Sequence, residues 1–80
     1  MANTKEALTR LIQLMVDEPD DVSIEEIPGR ESTLFELQVA AGDLGKVIGR
    51  QGRTARALRS LLSARGVRDG ERYELEILEI

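Results

Sequence analysis

The sequence contains neither cysteine nor histidine, and this removes several classes of function at once. A chain without these residues cannot form disulfides, build the usual zinc sites or carry out Cys- or His-centred catalysis. Aromatic residues are also scarce, since Phe35 and Tyr73 are the only two. The core must therefore be built mainly from Leu, Ile, Val and Ala.

Long apolar runs are missing as well. No segment approaches the roughly 20 apolar residues of a membrane span, and the N-terminus lacks the basic-then-apolar order of a signal peptide. Together with the lack of cysteine, this fits a cytoplasmic protein that does not engage a membrane. Acidic pairs such as Asp20-Asp21 lack the spacing of a calcium loop, so we expect no metal or cofactor.

The 80 residues are expected to form one small domain, residues 1–80, of modest stability. The net charge of −4 on its own disfavours a nucleic-acid ligand. The distribution of charge is more informative, because residues 42–68 carry seven basic side chains against Asp43 alone. A ligand within the Debye length of about 8 Å responds to this local patch more than to the total.

The first half of the chain predicts a helix followed by a hairpin. Asn3 can cap the helix, which should end near Asp17-Glu18-Pro19. Its apolar stripe recurs at helical spacing and consists of Leu8, Leu11, Ile12 and Met15. Strands are expected over residues 22–27 and 33–40, joined by the turn signal Pro28-Gly29.

The second half predicts two helices and a final strand. Asp43 is a plausible N-cap for one or two helical turns, and a longer helix should cover Arg53 to Arg65 and stop at Gly66. The expected inner stripe of that helix is Ala55, Leu58, Leu61 and Leu62. A last strand is expected over residues 73–80, and the long connection before it permits a parallel crossover.

Between the two helices lies the stretch with the clearest chemistry. Its residues are Lys46, Val47, Ile48, Gly49, Arg50, Gln51, Gly52 and Arg53. Glycines at both ends of a tight turn allow close approach of another backbone, and the helix that follows points its positive end at the loop. Phosphate is the natural ligand for such a site, and arginines such as Arg56 add permanent charge. For a lone basic helix, simple solvation would explain the arginines, and we favour that explanation for Arg65 and Arg68.

The segment from Thr33 to Ile80 resembles a KH motif, whose minimal unit is strand, helix, GxxG loop, helix, strand. The helix and strand before this unit resemble the type II, prokaryotic arrangement, and among such proteins the chain most resembles the small bacterial KhpA-like family. The resemblance implies an α+β type II KH fold of order α-β-β-α-α-β, with a three-stranded mixed sheet and helices packed on one face. A bare GxxG is weak support, but the same residues at a helix–helix junction in the right element order are specific.

The resemblance also implies a function. KH domains clamp about four nucleotides of single-stranded nucleic acid, so this chain would bind RNA as a chaperone or post-transcriptional regulator. Gly49, Arg50, Gln51 and Gly52 would hold phosphates, assisted by Lys46, Arg53 and Arg56. Leu44, Val47, Ile48 and Leu58 would line the apolar side of the groove. The last strand and the loop over residues 67–72 would close the other wall.

We expect one domain to bind RNA weakly, because no aromatic residue lies in the groove-forming segment to stack on bases. Useful affinity would then require a homodimer, or a heterodimer with another KH-containing RNA-binding protein. The alternative is a KH-shaped protein–protein interaction module with little nucleic-acid binding. A nucleotide hydrolase is disfavoured because the loop runs into Arg53-Thr54 and not the Gly-Lys-Ser/Thr of a phosphate loop. A DNA-reading helix-turn-helix would leave the hairpin unexplained.

Overall fold

The computed structural model describes residues 3–79, so the predicted end of the last strand at Ile80 lies outside the described part. The elements follow the order expected of a type II KH fold. They are α1 (Thr4–Gln13), β1 (Ser23–Pro28), β2 (Thr33–Gln38), α2 (Leu44–Ile48), α3 (Arg53–Asp69) and β3 (Tyr73–Ile77).

The three strands form one mixed sheet in the order β1-β2-β3. The hairpin strands β1 and β2 pair antiparallel, with Ile24 opposite Leu37, as the short turn between them predicts. The strands β2 and β3 pair parallel, with Phe35 opposite Leu75, so the chain makes the expected crossover through α2 and α3.

All three helices contribute to one hydrophobic core on a single face of the sheet. The core residues are Leu8, Ile12, Ile24, Phe35, Leu37, Val47, Leu58, Leu62 and Leu75. On the opposite face, Glu25, Glu36 and Glu76 stand side by side across the three strands. Like charges in register repel a polyanion, so this face is unsuited to nucleic acid.

The first helix begins as the sequence predicts but ends earlier. The Asn3 side chain accepts a hydrogen bond of 2.8 Å from the backbone N–H of Glu6, which satisfies one of the free donors of the first turn. The regular helix ends at Gln13, four residues before Asp17. Met15 continues the apolar stripe from outside the helix and packs against the core.

The prediction that α3 stops at Gly66 was wrong. The helix continues to Asp69, and Gly70 ends it in the left-handed conformation, with φ of 72°. The backbone N–H of Glu71 donates to the carbonyl of Gly66 at 2.8 Å, and that of Gly70 donates to Val67 at 3.3 Å. This is a Schellman motif, in which the left-handed glycine follows the last helical residue.

The inner stripe of α3 is narrower than the sequence predicts. Ala55, Leu58 and Leu62 are buried, but Leu61 is 61% exposed and points away from the core. Gly66 takes the next buried position on the same side of the helix. Its missing side chain admits the chain that returns into β3, because a Cβ atom there would lie 2.7 Å from the Glu71 carbonyl oxygen.

Candidate nucleic-acid interface

The loop between α2 and α3 has a backbone that demands glycine at both ends. Gly49 has φ of 76° and Gly52 has φ of 74°, both in the region that L-residues avoid. Gly49 also lacks space for a side chain, since a Cβ atom would lie 2.8 Å from the backbone nitrogen of Thr54. Gly52 has nothing within 4 Å of that position, so only its backbone angle requires glycine.

Gln51 is the one non-glycine residue with positive φ in the described part of the chain, at 57°. A left-handed non-glycine residue costs about 1–2 kcal/mol, so the fold must hold it in place. Two arginines contact this residue. Arg53 donates to the Gln51 side-chain oxygen, and Arg56 donates to its backbone carbonyl, each at 3.3 Å. These two hydrogen bonds therefore help to hold the turn in its left-handed conformation without a ligand.

The N-terminus of α3 opens onto this loop. Gly52 occupies the N-cap position, and no side chain caps the helix there. Within the turn, the backbone N–H of Gly52 donates to Gly49 at 3.1 Å, which closes the loop on itself. The positive end of a 17-residue helix is consequently accessible to an anion.

The predicted arginines surround this opening. Arg50, Arg53 and Arg56 are all exposed. Among residues 3–79, no carboxylate lies within ion-pair distance of these three guanidinium groups. Each uses at most one of five N–H donors in the contacts described above, so most of the donors can reach a phosphate.

A cleft of about 300 Å³ runs from the loop to the end of β3, and its lining combines apolar side chains with Arg56 and Arg59. Ile48 and Ala55 contribute to one wall, and Ile77 and Glu79 contribute to the other. The end of β3 therefore borders the cleft beside the loop. The Arg59 Nε of α3 donates to the Leu75 carbonyl of β3 at 3.3 Å, which joins the helix to the strand.

Two of the predicted groove-lining residues are internal. Val47 is 0% exposed and Leu58 is 3% exposed, so both belong to the core and can only support the loop from beneath. Leu44 and Ile48 are half-buried and keep surface available to a ligand. The apolar pair before Gly49 is thus divided, with one residue facing inward and one bordering the cleft.

The segment over residues 67–72 does not close the groove, contrary to prediction. Its first three residues form the last turn of α3, and Gly70 terminates that helix. A 17-residue helix is about 25 Å long, so this segment lies at the opposite end of α3 from the loop. At that end, Asp69 accepts hydrogen bonds from Thr4 at 2.9 Å and from Tyr73 at 2.7 Å.

Lys46 lies beside carboxylates, not at the loop opening. Its ammonium nitrogen is 3.2 Å from an Asp17 oxygen and 3.6 Å from an Asp43 oxygen. The hydrogen bond to Asp17 is the main reason that the pKa of Lys46 is raised above its usual 10.5. Sequence spacing does not predict the contact between Lys46 and Asp17, because the two residues are 29 positions apart.

Asp43 occupies the N-cap position of α2 but does not cap it, contrary to prediction. Its carboxylate accepts hydrogen bonds from the backbone N–H groups of Asp17, at 3.1 Å, and Glu18, at 2.9 Å. The Asp17 bond is the largest cause of a lowered pKa for Asp43; burial acts in the opposite direction, and Glu18 and Lys46 lower the pKa further.

Neither aromatic residue lines the cleft beside the loop, so neither can stack on bases there. Phe35 is 0% exposed, and Tyr73 packs edge-on against it with ring centroids 5.1 Å apart. Residues 3–79 also contain no group of acidic side chains placed to hold a metal ion. No helix in this part of the chain is long and apolar enough to cross a membrane.

The family profile that matches this chain and the similar proteins indicate the same family. The profile of the KhpA/KhpB KH domain matches residues 5–77. A protein of Chlamydia trachomatis named RNA-binding protein KhpA is 43% identical over 75 residues, which cover 94% of this chain and 96% of that protein. Proteins of the same name share 46% identity over 79 residues in Aquifex aeolicus, with 99% and 100% coverage, and 43% over 77 residues in Borreliella burgdorferi, with 96% and 94% coverage. No solved structure gives a significant match.

Proposed function

The chain belongs to the KhpA/KhpB KH-domain family, and on that basis we propose that it binds single-stranded RNA by holding the sugar–phosphate backbone on the Gly49–Gly52 loop. The relatives from three bacterial groups are named as RNA-binding proteins. The observation that carries the proposal is the uncapped N-terminus of α3, which opens beside two left-handed glycines and three exposed arginines.

The loop is the place where phosphates would bind. Backbone N–H groups around Arg50 and Gln51 would donate to phosphate oxygens, and the guanidinium groups of Arg50, Arg53 and Arg56 would add charge-assisted bonds. Bases would turn into the cleft between Ile48 and Ile77, and about four nucleotides would be covered. Val47 would contribute only from the core beneath.

The charge on the rest of the surface limits RNA binding to the loop and the cleft beside it. The acidic row on the outer sheet face and the net charge of −4 repel a polyanion elsewhere. Without base stacking, which adds about 1–3 kcal/mol per base, the affinity of one domain should be micromolar or weaker. Weak binding with limited sequence preference suits a cytoplasmic RNA chaperone or post-transcriptional regulator. No step in this proposal requires catalysis.

Two domains on one RNA would give useful affinity through effective concentration. We propose that the chain acts as a homodimer or pairs with another KH-containing RNA-binding protein. An apolar cleft of about 230 Å³ between α1 and α3 supports such a contact, and it includes Leu11 and Leu61, both partly exposed. The same surface favours the second candidate function, a protein–protein interaction module that has kept the KH shape.

A double substitution in the loop tests the proposal. Arg50→Asp with Gln51→Asp puts two negative charges where phosphates would bind and leaves the core unchanged, since both side chains are exposed. We expect RNA binding in a fluorescence anisotropy titration to be lost while the circular dichroism spectrum stays the same. A folded double variant that binds RNA like the wild type would rule out the loop. RNA recovered after crosslinking in cells would separate an RNA-binding protein from a pure interaction module.

A further inference from the structure

The start of α2 is tied to a distant part of the chain by a buried carboxylate. Asp43 is 2% exposed and lies immediately before α2. Its two oxygens accept separate hydrogen bonds from the backbone N–H groups of Asp17 and Glu18, at 3.1 and 2.9 Å. Those residues belong to the connection between α1 and β1, so one side chain joins two segments that share no strand or helix pairing.

Lys46 completes this arrangement, which we call the Asp43 anchor (Asp17, Glu18, Asp43 and Lys46). Its ammonium group lies 3.6 Å from Asp43 and 3.2 Å from Asp17. A buried carboxylate is costly unless opposite charge and hydrogen bonds compensate it, and here it has both. In the described part of the chain, no buried polar side-chain atom lacks a partner.

The anchor matters because α2 cannot hold its own position. The helix has five residues, far fewer than an isolated helix needs to be stable in water. Val47 is its one buried residue. Half-buried Leu44 packs against the core beside it, on the same face of the helix, so core packing holds α2 along one line about which a short helix can still rock. The Asp43 anchor supplies a second point of attachment, at the opposite end of α2 from the loop.

We propose that Asp43 is a positioning residue for RNA binding: its carboxylate fixes the orientation of α2, and α2 ends at Gly49, the first residue of the loop. This inference rests on the proposed function. It also assigns Lys46 to the anchor and not to the phosphate contacts. Loss of Asp43 would allow α2 to tilt, and only a fraction of molecules would then present the loop in its binding conformation.

Asp43→Asn tests the inference, because the amide keeps the shape and one acceptor oxygen but places an NH₂ group against a backbone donor. The probe is a fluorescein-labelled single-stranded RNA of about twelve nucleotides, several times the span of one KH domain. We expect the affinity to fall about tenfold if the binding-competent fraction falls to about one tenth. The dependence of log K on log salt should keep its slope, since no phosphate contact is removed.

Two variants serve as controls. Ile24→Val trims a core residue on the edge strand β1, outside both the loop and the Asp43 anchor, and should lower the melting temperature while binding RNA with unchanged affinity at temperatures where it is folded. Lys46→Met leaves both backbone hydrogen bonds of Asp43 in place, so it should fold even if Asp43→Asn does not. It should weaken binding by a smaller factor, again with an unchanged salt slope.

Three results would overturn the inference. The first is a folded Asp43→Asn protein that binds RNA with wild-type affinity. The second is an Ile24→Val protein that has the same melting temperature as Asp43→Asn and loses as much affinity. The third is a Lys46→Met protein whose salt slope is smaller in magnitude by about 0.7, the value of one phosphate contact. Wild-type protein that binds no RNA would instead overturn the proposed function. In that case, the amide chemical shifts of Gly49 and Gly52 would still test whether Asp43 positions the loop. These shifts should change in Asp43→Asn and stay constant in Ile24→Val.

Discussion

Gly49 lies so close to Thr54 that a Cβ atom on residue 49 would come within 2.8 Å of the Thr54 backbone nitrogen. The loop therefore turns back against the first turn of α3, and its two glycines are not equivalent. Gly49 needs both its positive φ and the empty space, whereas Gly52 needs only the positive φ.

We expect Gly49→Ala to abolish RNA binding and to destabilise the protein more than Gly52→Ala. The Gly52 variant should lose about 1–2 kcal/mol, the cost of a left-handed alanine, and its melting temperature should fall by roughly 4–8 °C per kcal/mol. Urea denaturation measures the loss of unfolding free energy in each variant, and thermal denaturation measures the melting temperature. Gly45→Ala is the matched control, because Gly45 is helical and has nothing within 4 Å of the new methyl group. Equal losses at residues 49 and 52 would contradict this account.

The salt dependence of binding should report the arginines one at a time. Contacts to three or four phosphates on a single strand predict a slope of about −2 to −3 for log K against log salt. Replacing Arg50 or Arg56 with Gln should reduce the magnitude of the slope by about 0.7. Arg68→Gln removes the same charge near the far end of α3 and should leave the slope unchanged. Slopes measured by anisotropy at several salt concentrations decide between local contacts and a general effect of net charge.

Gly66→Ala should destabilise the protein although it replaces a glycine inside a helix. Alanine in a helix normally gains about 1 kcal/mol over glycine. Here the added methyl group would meet the Glu71 carbonyl oxygen at 2.7 Å and the Tyr73 nitrogen at 3.3 Å, both on the backbone of the returning chain. Urea denaturation should therefore give a lower midpoint, with RNA affinity unchanged in the folded protein. A more stable variant would show that the chain after α3 can move aside.

Acid should destabilise the protein through two carboxylates. The pKa of Asp43 is lowered mainly by the hydrogen bond from the Asp17 N–H, and the pKa of Asp69 is lowered mainly by the Tyr73 hydroxyl. A lowered pKa contributes stability that is complete above the unfolded value of about 4 and is lost as the pH falls through the folded value.

The free energy of unfolding should thus be flat near neutrality and should decline below about pH 4. Urea denaturation at a series of pH values measures this decline. Asp43→Asn and Asp69→Asn should each make it shallower, because each removes one carboxyl group whose pKa is lowered in the folded protein. Ile24→Val, which trims the core without removing an ionisable group, should leave the decline unchanged. Two Asp variants with the wild-type decline would place the acid sensitivity elsewhere.

Most of the fold follows from local patterns. The hairpin is predictable because Phe35 and Leu37 alternate with polar residues, and the helix–loop–helix is predictable because Gly49 and Gly52 interrupt a helical pattern. The end of α3 is not predictable from the sequence, because Gly66 and Gly70 are both residues at which a helix commonly ends. Only the packing of Gly66 against the returning chain decides that Gly70 ends the helix.

The candidate site also has a part that the sequence predicts and a part that it does not. The loop residues are close in sequence, so their spacing alone brings them together. The two backbone hydrogen bonds of the Asp43 anchor are not predictable, because they join residues 25 or more positions apart and depend on how the connection between α1 and β1 lies against the start of α2. Nor does the sequence separate Val47 from Ile48, whose burial is set by the rotation of a five-residue helix.

Leu61 and Leu62 are neighbours with opposite environments, and substituting each in turn tests both the packing and the proposed self-association. Leu62 is 4% exposed, so Leu62→Ala should cost about 2–5 kcal/mol of unfolding free energy. Leu61 is 61% exposed, and Leu61→Ser should change the stability of the monomer by no more than about 0.5 kcal/mol. If the apolar cleft beside Leu61 joins two copies, the same variant should shift sedimentation from dimer to monomer and weaken RNA binding through the lost second site. A Leu61→Ser protein that remains dimeric would place the interface on another face.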